Sequence, residues 1–174
     1  MAQSVELLLD DETDRAVTDE WLRLHEARLP SERRSAADET HRPHLTLYAG
    51  DEIVATAEPA LSALVAGLSL TLELGALMLF GPHRGRFVLV HQIVPSVELL
   101  SLQHDVAEAC GADPSGHFAP GRWSPHVTVA RRVEPTQVGP VLTVLTGNAP
   151  VAGRRSHVTS CRRWDGAAKR AWLL

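Results

Sequence analysis

Two five-residue segments, Pro43-His44-Leu45-Thr46-Leu47 and Pro125-His126-Val127-Thr128-Val129, share one pattern of proline, histidine, apolar residue, threonine and apolar residue. In a chain of 174 residues with 9 His and 11 Pro, chance would produce this pattern only ~0.007 times. In a strand, residues i and i+2 point to the same face. Each histidine therefore projects together with its threonine, while the two apolar residues face the core. The repetition predicts two strands that each present one polar face and are anchored by the other.

Apolar periodicity on either side of these motifs predicts alternating strands and helices. Strands are predicted over residues 4–9, 44–48, 68–79, 86–94, 126–130, 154–163 and 169–174, and helices over residues 17–28, 59–66, 96–109 and 135–145. The order of elements repeats roughly once, with one motif in each half. This predicts the α+β class, with two lobes that share one sheet system. Because no linker separates the halves, we expect residues 1–174 to form a single bilobal domain.

One nearly apolar stretch, residues 60–80, approaches the length of a membrane span. Its apolar residues follow helical spacing from Leu61 to Leu68 and then alternate with polar residues, including Glu73, up to Leu74. This change of period predicts a helix running into a half-buried strand, and no association with a membrane. The Gly- and Pro-containing segment 81–85 is predicted to be a turn.

The composition limits the kinds of ligand and compartment. A net charge of −4 gives no general attraction to nucleic acid, and an aromatic content of 5% disfavours a long platform for stacking bases. The expected ligand is therefore small, or is the end of a longer molecule. Cys110 and Cys161 are expected to be reduced thiols. The N-terminus shows no signal-peptide pattern, so the expected location is the cytoplasm.

Two histidines that face one phosphodiester can supply what its hydrolysis needs. A neutral imidazole can take a proton from water, and an imidazolium can protonate the departing oxygen. Threonine hydroxyls can donate hydrogen bonds to the non-bridging oxygens, where negative charge accumulates. His44, Thr46, His126 and Thr128 are therefore the candidate catalytic residues. No metal or other cofactor is expected, because these groups already provide acid, base and charge stabilisation.

The two motifs resemble the paired His-x-Thr-x signatures of the 2H phosphoesterase superfamily. The second motif, which runs on to Arg131, is most similar to the bacterial 2′-5′ RNA ligase and RNA 2′,3′-cyclic phosphodiesterase branch, and residues 99–104 fit the family's preceding helix. The resemblance implies a bilobal, pseudo-twofold fold with two antiparallel-sheet lobes, outer helices and a central cleft. It also implies metal-independent opening of a 2′,3′-cyclic phosphate, at an RNA 3′ end or on a small nucleotide, commonly leaving a 2′-phosphate. No obligatory protein partner is implied.

Two further residues are candidates for substrate binding. Tyr48 has the parity to share a face with His44 and Thr46, and its ring could stack on a base or simply pack at the strand end. Arg131 stands where the bacterial branch often has arginine and could bind phosphate. Strict alternation from His126 places it on the opposite face unless the strand bends.

Several alternatives stay open at the level of sequence. His157 begins a third His-x-Thr but lacks the preceding proline and the second apolar anchor, so we expect it to be dispensable. The exposed segment 31–42 is expected to border the cleft and to influence substrate choice. RNA joining through the same cleft, and non-catalytic binding of a nucleotide or RNA end, are the rival functions. The acid and base roles are nearly interchangeable in a symmetric pair, with His126 as base and His44 as acid preferred.

Overall fold

The computed structural model describes residues 3–34, 40–147 and 151–174. Within these residues the chain forms eight β-strands and four α-helices. The strands are β1 (Gln3–Leu8), β2 (His44–Gly50), β3 (Thr71–His83), β4 (Arg86–Ile93), β5 (His126–Val133), β6 (Arg155–His157), β7 (Ser160–Asp165) and β8 (Arg170–Leu173). The helices are α1 (Asp11–Glu26), α2 (Glu58–Val65), α3 (Val97–Ala109) and α4 (Val138–Thr146). The strand predicted over residues 154–163 is divided into β6 and β7.

The strands that begin with the two motifs lie side by side in the middle of one antiparallel sheet. Its strand order is β6-β3-β4-β5-β2-β1-β7-β8. The central strands β2 and β5 are joined through one residue pair, Leu45 with Val127. By contrast, β1 pairs with β2 along its whole length, from Gln3 to Leu8. The short junction separates a first half-sheet (β2-β1-β7-β8) from a second half-sheet (β5-β4-β3-β6), which confirms the predicted α+β, pseudo-twofold arrangement.

The two half-sheets are not two consecutive pieces of the chain. After β2 and α2, strand β3 joins β4 in the second half-sheet, and after β6 the chain returns so that β7 pairs with β1. The first half of the chain therefore contributes β3 to the second half-sheet, and the second half contributes β7 and β8 to the first half-sheet. The simple duplication predicted from element order does not contain this exchange. Alternation of apolar residues shows which face of a strand is buried, but not which neighbour completes its hydrogen bonds.

The helices cover the face of the sheet that lies opposite the polar face of the motifs. Helix α1 packs on β5 and α4, and α3 packs in the equivalent way on β2 and α2. Beneath them Leu45, Leu47, Val127 and Val129 are fully buried. Burial of each such side chain is worth ~1.5–3 kcal/mol relative to exposure. The apolar residues of the motifs therefore hold both strands firmly, as their alternation predicted.

The apolar stretch 60–80 is a helix followed by a strand, as its change of period predicted. No helix in the described part of the chain is long and apolar enough to cross a membrane. The predicted turn over 81–85 is wrong in extent, because β3 continues to His83, which pairs with Arg86. The hairpin turn is only Arg84-Gly85, both with positive φ (50° and 75°). Two-residue hairpin turns of this kind match the twist of the flanking strands.

Both cysteines are free thiols. Burial raises the pKa of the Cys110 thiol to about 11 and that of the Cys161 thiol to about 12. Because the thiolate is the reactive form, both side chains behave as packing residues at neutral pH.

Candidate active site

The pairing of the two central strands brings the four motif side chains onto one wall. Leu45 opposite Val127 in an antiparallel pair places His44 opposite Thr128 and Thr46 opposite His126. All four side chains are part-exposed, whereas the residues between them are buried. The polar faces predicted for the two strands therefore lie side by side and form one continuous polar surface.

A cleft of about 440 Å³ opens on this wall and is lined by His44, Thr46 and His126. Thr128 lies beside it, across from His44. The charged residues that line the cleft outside the motifs are Glu6, Glu32, Arg34, Arg131 and Arg162. A polyanion would meet three guanidinium groups here, although the chain as a whole carries a net negative charge.

The two histidine rings are held in the same way. Nδ1 of His44 lies 2.7 Å from the carbonyl oxygen of Arg42, and Nδ1 of His126 lies 2.7 Å from that of Ser124. A carbonyl only accepts hydrogen bonds, so each neutral ring donates from Nδ1 and keeps the Nε2 lone pair for the cleft. The proline between each carbonyl and its histidine restricts the preceding residue to extended backbone. This restriction explains why proline opens both motifs.

The surroundings of His126 favour its neutral form. Burial lowers the pKa of His126, and the positive charges of Arg131 and His44 lower it further, against the opposing effect of the Ser124 carbonyl. The Phe80 ring also makes a T-shaped contact with this imidazole, with centroids 4.8 Å apart and planes at 89°. A neutral imidazole with a free Nε2 is the form that accepts a proton.

The surroundings of His44 differ from those of His126, because a carboxylate lies beside it. Oε1 of Glu6 is 3.6 Å from Nε2 of His44, and Oε2 accepts a 2.8 Å hydrogen bond from Nε of Arg162. Burial alone would raise the pKa of Glu6, but His44 and Arg162 hold it below its usual value of 4.5. The group is therefore an anion that points into the cleft. Sequence reasoning missed it, and the available signal was a glutamate inside the apolar run 5–9.

Arg131 reaches the cleft because β5 contains a bulge. Leu89 pairs with Ala130 and Val90 pairs with Thr128, which leaves Val129 as an extra residue. Bulges shift the alternation by one position, so Arg131 returns to the face of His126. Its Nε lies 2.7 Å from Oε1 of Glu32, and its side chain is 57% exposed. The bend that the sequence analysis required for Arg131 is therefore present.

The same kind of bulge moves Tyr48 away from the predicted face. Val5 pairs with Tyr48 and Glu6 pairs with Thr46, so Leu47 is the extra residue in β2. Tyr48 shares the core side of the sheet with Val5 and packs against Phe118, with ring centroids 5.8 Å apart. The predicted placement of Tyr48 beside His44 and Thr46 is wrong. Strict alternation holds only where no residue is inserted.

An indole anchors each motif strand at its threonine. Nε1 of Trp21 donates to the carbonyl of Thr128 at 3.0 Å, and Nε1 of Trp123 donates to the carbonyl of Thr46 at 3.1 Å. Trp123 is buried, and besides its packing it contributes a hydrogen bond that fixes the backbone next to the cleft. Such bonds satisfy carbonyls that the short central ladder leaves unpaired.

The segment that precedes β2 borders the cleft, as expected. His41 stacks on Trp21, with centroids 5.1 Å apart, and its Nε2 lies 2.7 Å from the carbonyl oxygen of Glu32. Positions 35–39 of the predicted loop lie outside the described residues. The described ends of the segment place Glu32, Thr40 and His41 in the wall of the cleft.

His157 is not brought to this site. It lies in β6 at the end of the second half-sheet, where it pairs with Thr71 and its Nδ1 lies 3.0 Å from the Thr71 hydroxyl. Across residues 3–34, 40–147 and 151–174, no group of three or more His, Cys, Asp or Glu side chains is arranged to hold a metal ion.

Comparison with known families identifies the fold. The model of the 2′-5′ RNA ligase superfamily matches residues 16–166. The chain belongs to this superfamily. The match confirms the resemblance drawn from the two motifs, and a phosphoesterase-type enzyme follows from it. No curated protein matches the chain.

Solved structures support the same assignment of the fold. Escherichia coli LigT complexed with phosphate is 21% identical with a TM-score of 0.55, and the match covers 99% of this chain and 92% of LigT. TT0787 of Thermus thermophilus is 18% identical with a TM-score of 0.61, covering 100% and 95%. Kluyveromyces marxianus Usb1 is 10% identical with a TM-score of 0.54, covering 99% and 98%. The chain therefore has the LigT-like fold along nearly its whole length.

Proposed function

We propose that the protein is a metal-independent phosphodiesterase that opens a 2′,3′-cyclic phosphate, at an RNA 3′ end or on a nucleotide, and leaves a 2′-phosphate. The observation that carries this proposal is the matched presentation of two imidazoles. Both offer Nε2 to one cleft, with a threonine beside each. Binding alone would not require two histidines held in a defined tautomer, whereas proton transfer does.

The reaction uses both histidines once in each turnover. Nε2 of neutral His126 takes a proton from water as the water oxygen attacks phosphorus. The bond between phosphorus and the 3′ oxygen breaks, and protonated His44 donates its Nε2 proton to that oxygen. The products are a free 3′ hydroxyl and a 2′-phosphate, and exchange with solvent restores both histidines. The hydroxyls of Thr46 and Thr128 stabilise the non-bridging oxygens of the transition state.

A second cavity supports a substrate that carries a base. It measures about 490 Å³, opens beside the cleft and shares His126 and Phe118 with it. Phe80 and Trp123 add two more aromatic walls, and aromatic side chains bind unstacked bases. LigT has been solved with 3′-AMP bound, and a nucleotide is the substrate class that we propose here.

The two free thiols fit the expected cytoplasmic location.

A turnover assay tests the proposal directly. The purified protein is incubated with each of the four nucleoside 2′,3′-cyclic phosphates and with a short RNA that ends in a cyclic phosphate. We expect conversion to the 2′-phosphate, which ³¹P NMR distinguishes from the 3′-phosphate. RNA joining is the reverse reaction, and water at ~55 M favours hydrolysis unless two ends are held together. Binding of these ligands without conversion would instead identify a non-catalytic module.

We expect the activity to persist in EDTA. The imidazoles and hydroxyls supply acid, base and charge stabilisation, so removal of divalent ions should change kcat/KM by less than about twofold. The measurement compares rates before and after dialysis against the chelator. Complete loss, restored by adding one divalent ion, would contradict this prediction.

We expect kcat/KM to follow a bell-shaped curve against pH. The base must be neutral, and the lowered pKa of His126 preserves its neutral form to lower pH, so the acidic limb should lie below the usual histidine value of 6.5. The alkaline limb reports the loss of the proton that the acid donates. Initial rates measured across the range from about pH 4.5 to 9 test both limbs. An acidic limb above pH 6.5 would refute the assignment of His126 as base.

A further inference from the structure

Two pairs of equivalent positions differ in charge between the two halves of the site. Glu6 pairs with Thr46 next to the bulge in β2, and Val90 pairs with Thr128 next to the bulge in β5. Glu6 and Val90 are therefore equivalent across the pseudo-twofold axis. Following the same registers, Ala49 is equivalent to Arg131, and both line the cleft. One motif thus has a buried anion beside it, and the other has a cation and an apolar residue.

The Glu6 carboxylate is held rigidly against His44. Its Oε1 lies 3.6 Å from Nε2 of His44 and accepts a 2.6 Å hydrogen bond from the Ser4 hydroxyl. Its Oε2 accepts from Nε of Arg162 at 2.8 Å, and Nη1 of Arg162 also donates to the carbonyl of Thr40 at 2.8 Å. Glu6 is only 4% exposed. A fixed charge in a poorly solvated position acts more strongly than one in water.

The remaining charges around the two rings reinforce this difference. Among the described residues, His41, from the segment before β2, and His126, from β5, also interact electrostatically with His44. Arg162 contacts the other carboxylate oxygen of Glu6 and partly neutralises its charge. Arg131 faces His126. Arg34 also lines the cleft and acts on His41, and the buried Glu32 carboxylate lies 2.7 Å from Nε of Arg131. Of the carboxylates in the wall of the cleft, Glu6 is the one that contacts a motif imidazole, that of His44.

We propose that Glu6 is a positioning residue that assigns the proton-donor role to His44. Its carboxylate stabilises the His44 imidazolium, while Val90 and Arg131 at the equivalent places leave His126 neutral. This inference rests on the proposed hydrolysis. It breaks the symmetry of two otherwise matched motifs, and it assigns the direction in which protons cross the cleft.

Replacement of the carboxylate by an amide tests the inference. In Glu6→Gln the imidazolium loses its nearest anion, so we expect the alkaline limb of kcat/KM to move about one pH unit lower, a tenfold loss at alkaline pH. The acidic limb, set by His126, should stay in place. Glu6→Asp keeps the negative charge, so its alkaline limb should lie close to that of the parent protein. A residue needed only for folding would lower the rate at every pH and leave both limbs where they are.

Glu20→Gln is the matched control. Glu20 is also a buried carboxylate, paired at 2.8 Å with buried His91 away from the cleft. Its replacement should lower thermal stability and leave both limbs unchanged. A shift of the alkaline limb in Glu20→Gln as large as that in Glu6→Gln would overturn the inference.

Titration of the wild-type imidazoles by ¹H NMR provides a test that needs neither turnover nor a variant that folds. We expect His44 to keep its proton to a higher pH than His126. The opposite order would overturn the inference, as would an alkaline limb that does not move in folded Glu6→Gln. If no cyclic phosphate is hydrolysed, the proposed function fails, while the order of the two titrations still decides the effect of Glu6 on His44.

Discussion

His44→Ala and His126→Ala should each lower turnover of a 2′,3′-cyclic phosphate by at least ~10²-fold, the lower bound for losing a positioned proton-transfer group. Both rings present Nε2 to the same cleft, and each is held by a 2.7 Å hydrogen bond from Nδ1 to a backbone carbonyl. Neither ring lies in the hydrophobic core, so the fold should survive either replacement. Steady-state kinetics, with circular dichroism to verify folding, provide the measurement.

His157→Ala is the control that the chain itself offers. His157 also begins a His-x-Thr, but it lies in the edge strand β6 and contacts Thr71 rather than the cleft. Its replacement should leave turnover within a few fold of the parent, as for surface substitutions in general. A loss at His157 equal to that at His126 would mean that the wrong histidines have been paired. A double variant His44→Ala/His126→Ala that is no slower than either single variant would show that the two act as a unit.

The sequence carried enough information to place the anchors of the site. Alternation at Leu45, Leu47, Val127 and Val129 predicted which face of each motif strand would be buried, and all four side chains are fully buried. That pattern works because burial of one face is the dominant energy of a half-buried strand. It also placed each histidine with its threonine without reference to any distant residue.

The faces of residues that follow a bulge, and contacts with distant parts of the chain, could not be predicted from alternation within one strand. The bulges at Leu47 and Val129 reverse the faces of the residues that follow them directly, which turns Tyr48 to the core and Arg131 to the cleft, and a second register shift in β5 returns Val133 to the core face. In β5 the succession Val129-Ala130 interrupts the alternation, but it does not show which of the two residues is inserted, and in β2 the succession Leu47-Tyr48 is equally compatible with strict alternation. Bulges are set by the register of the partner strand. The faces to which Tyr48 and Arg131 point therefore depend on strand pairing and not on the local sequence pattern.

Glu6 illustrates a second limit. In sequence it is the one polar residue of the apolar run 5–9, 38 positions before His44. Its meaning depends on Arg162, which arrives on β7 from the far end of the chain. A buried carboxylate is tolerable only with such a partner. The exchange of strands between half-sheets supplies that partner, and this exchange was the part of the topology that element order did not predict.

Thr46→Val should lower kcat by about 10²-fold, the scale of losing one preorganised donor to a developing negative charge. Valine keeps the β-branched shape that suits a strand and removes only the hydroxyl. The Thr46 backbone should stay in place, because its carbonyl accepts from Nε1 of Trp123 at 3.1 Å. Since the hydroxyl acts on charge that develops in the transition state, KM should change far less than kcat.

Thr128→Val should show the same separation of kcat from KM, because Thr128 lies opposite His44 as Thr46 lies opposite His126. Thr71→Val is the matched control, since the Thr71 hydroxyl lies 3.0 Å from Nδ1 of His157 on an exposed part of β3. Its removal should leave kcat within about twofold of the parent. If Thr46→Val and Thr71→Val had equal and small effects on kcat, the hydroxyls would not be stabilising the transition state. The guanidinium groups of the cleft would then stabilise the charge on the non-bridging oxygens. In that case Arg131→Ala should lower kcat by the amount expected here for Thr46→Val.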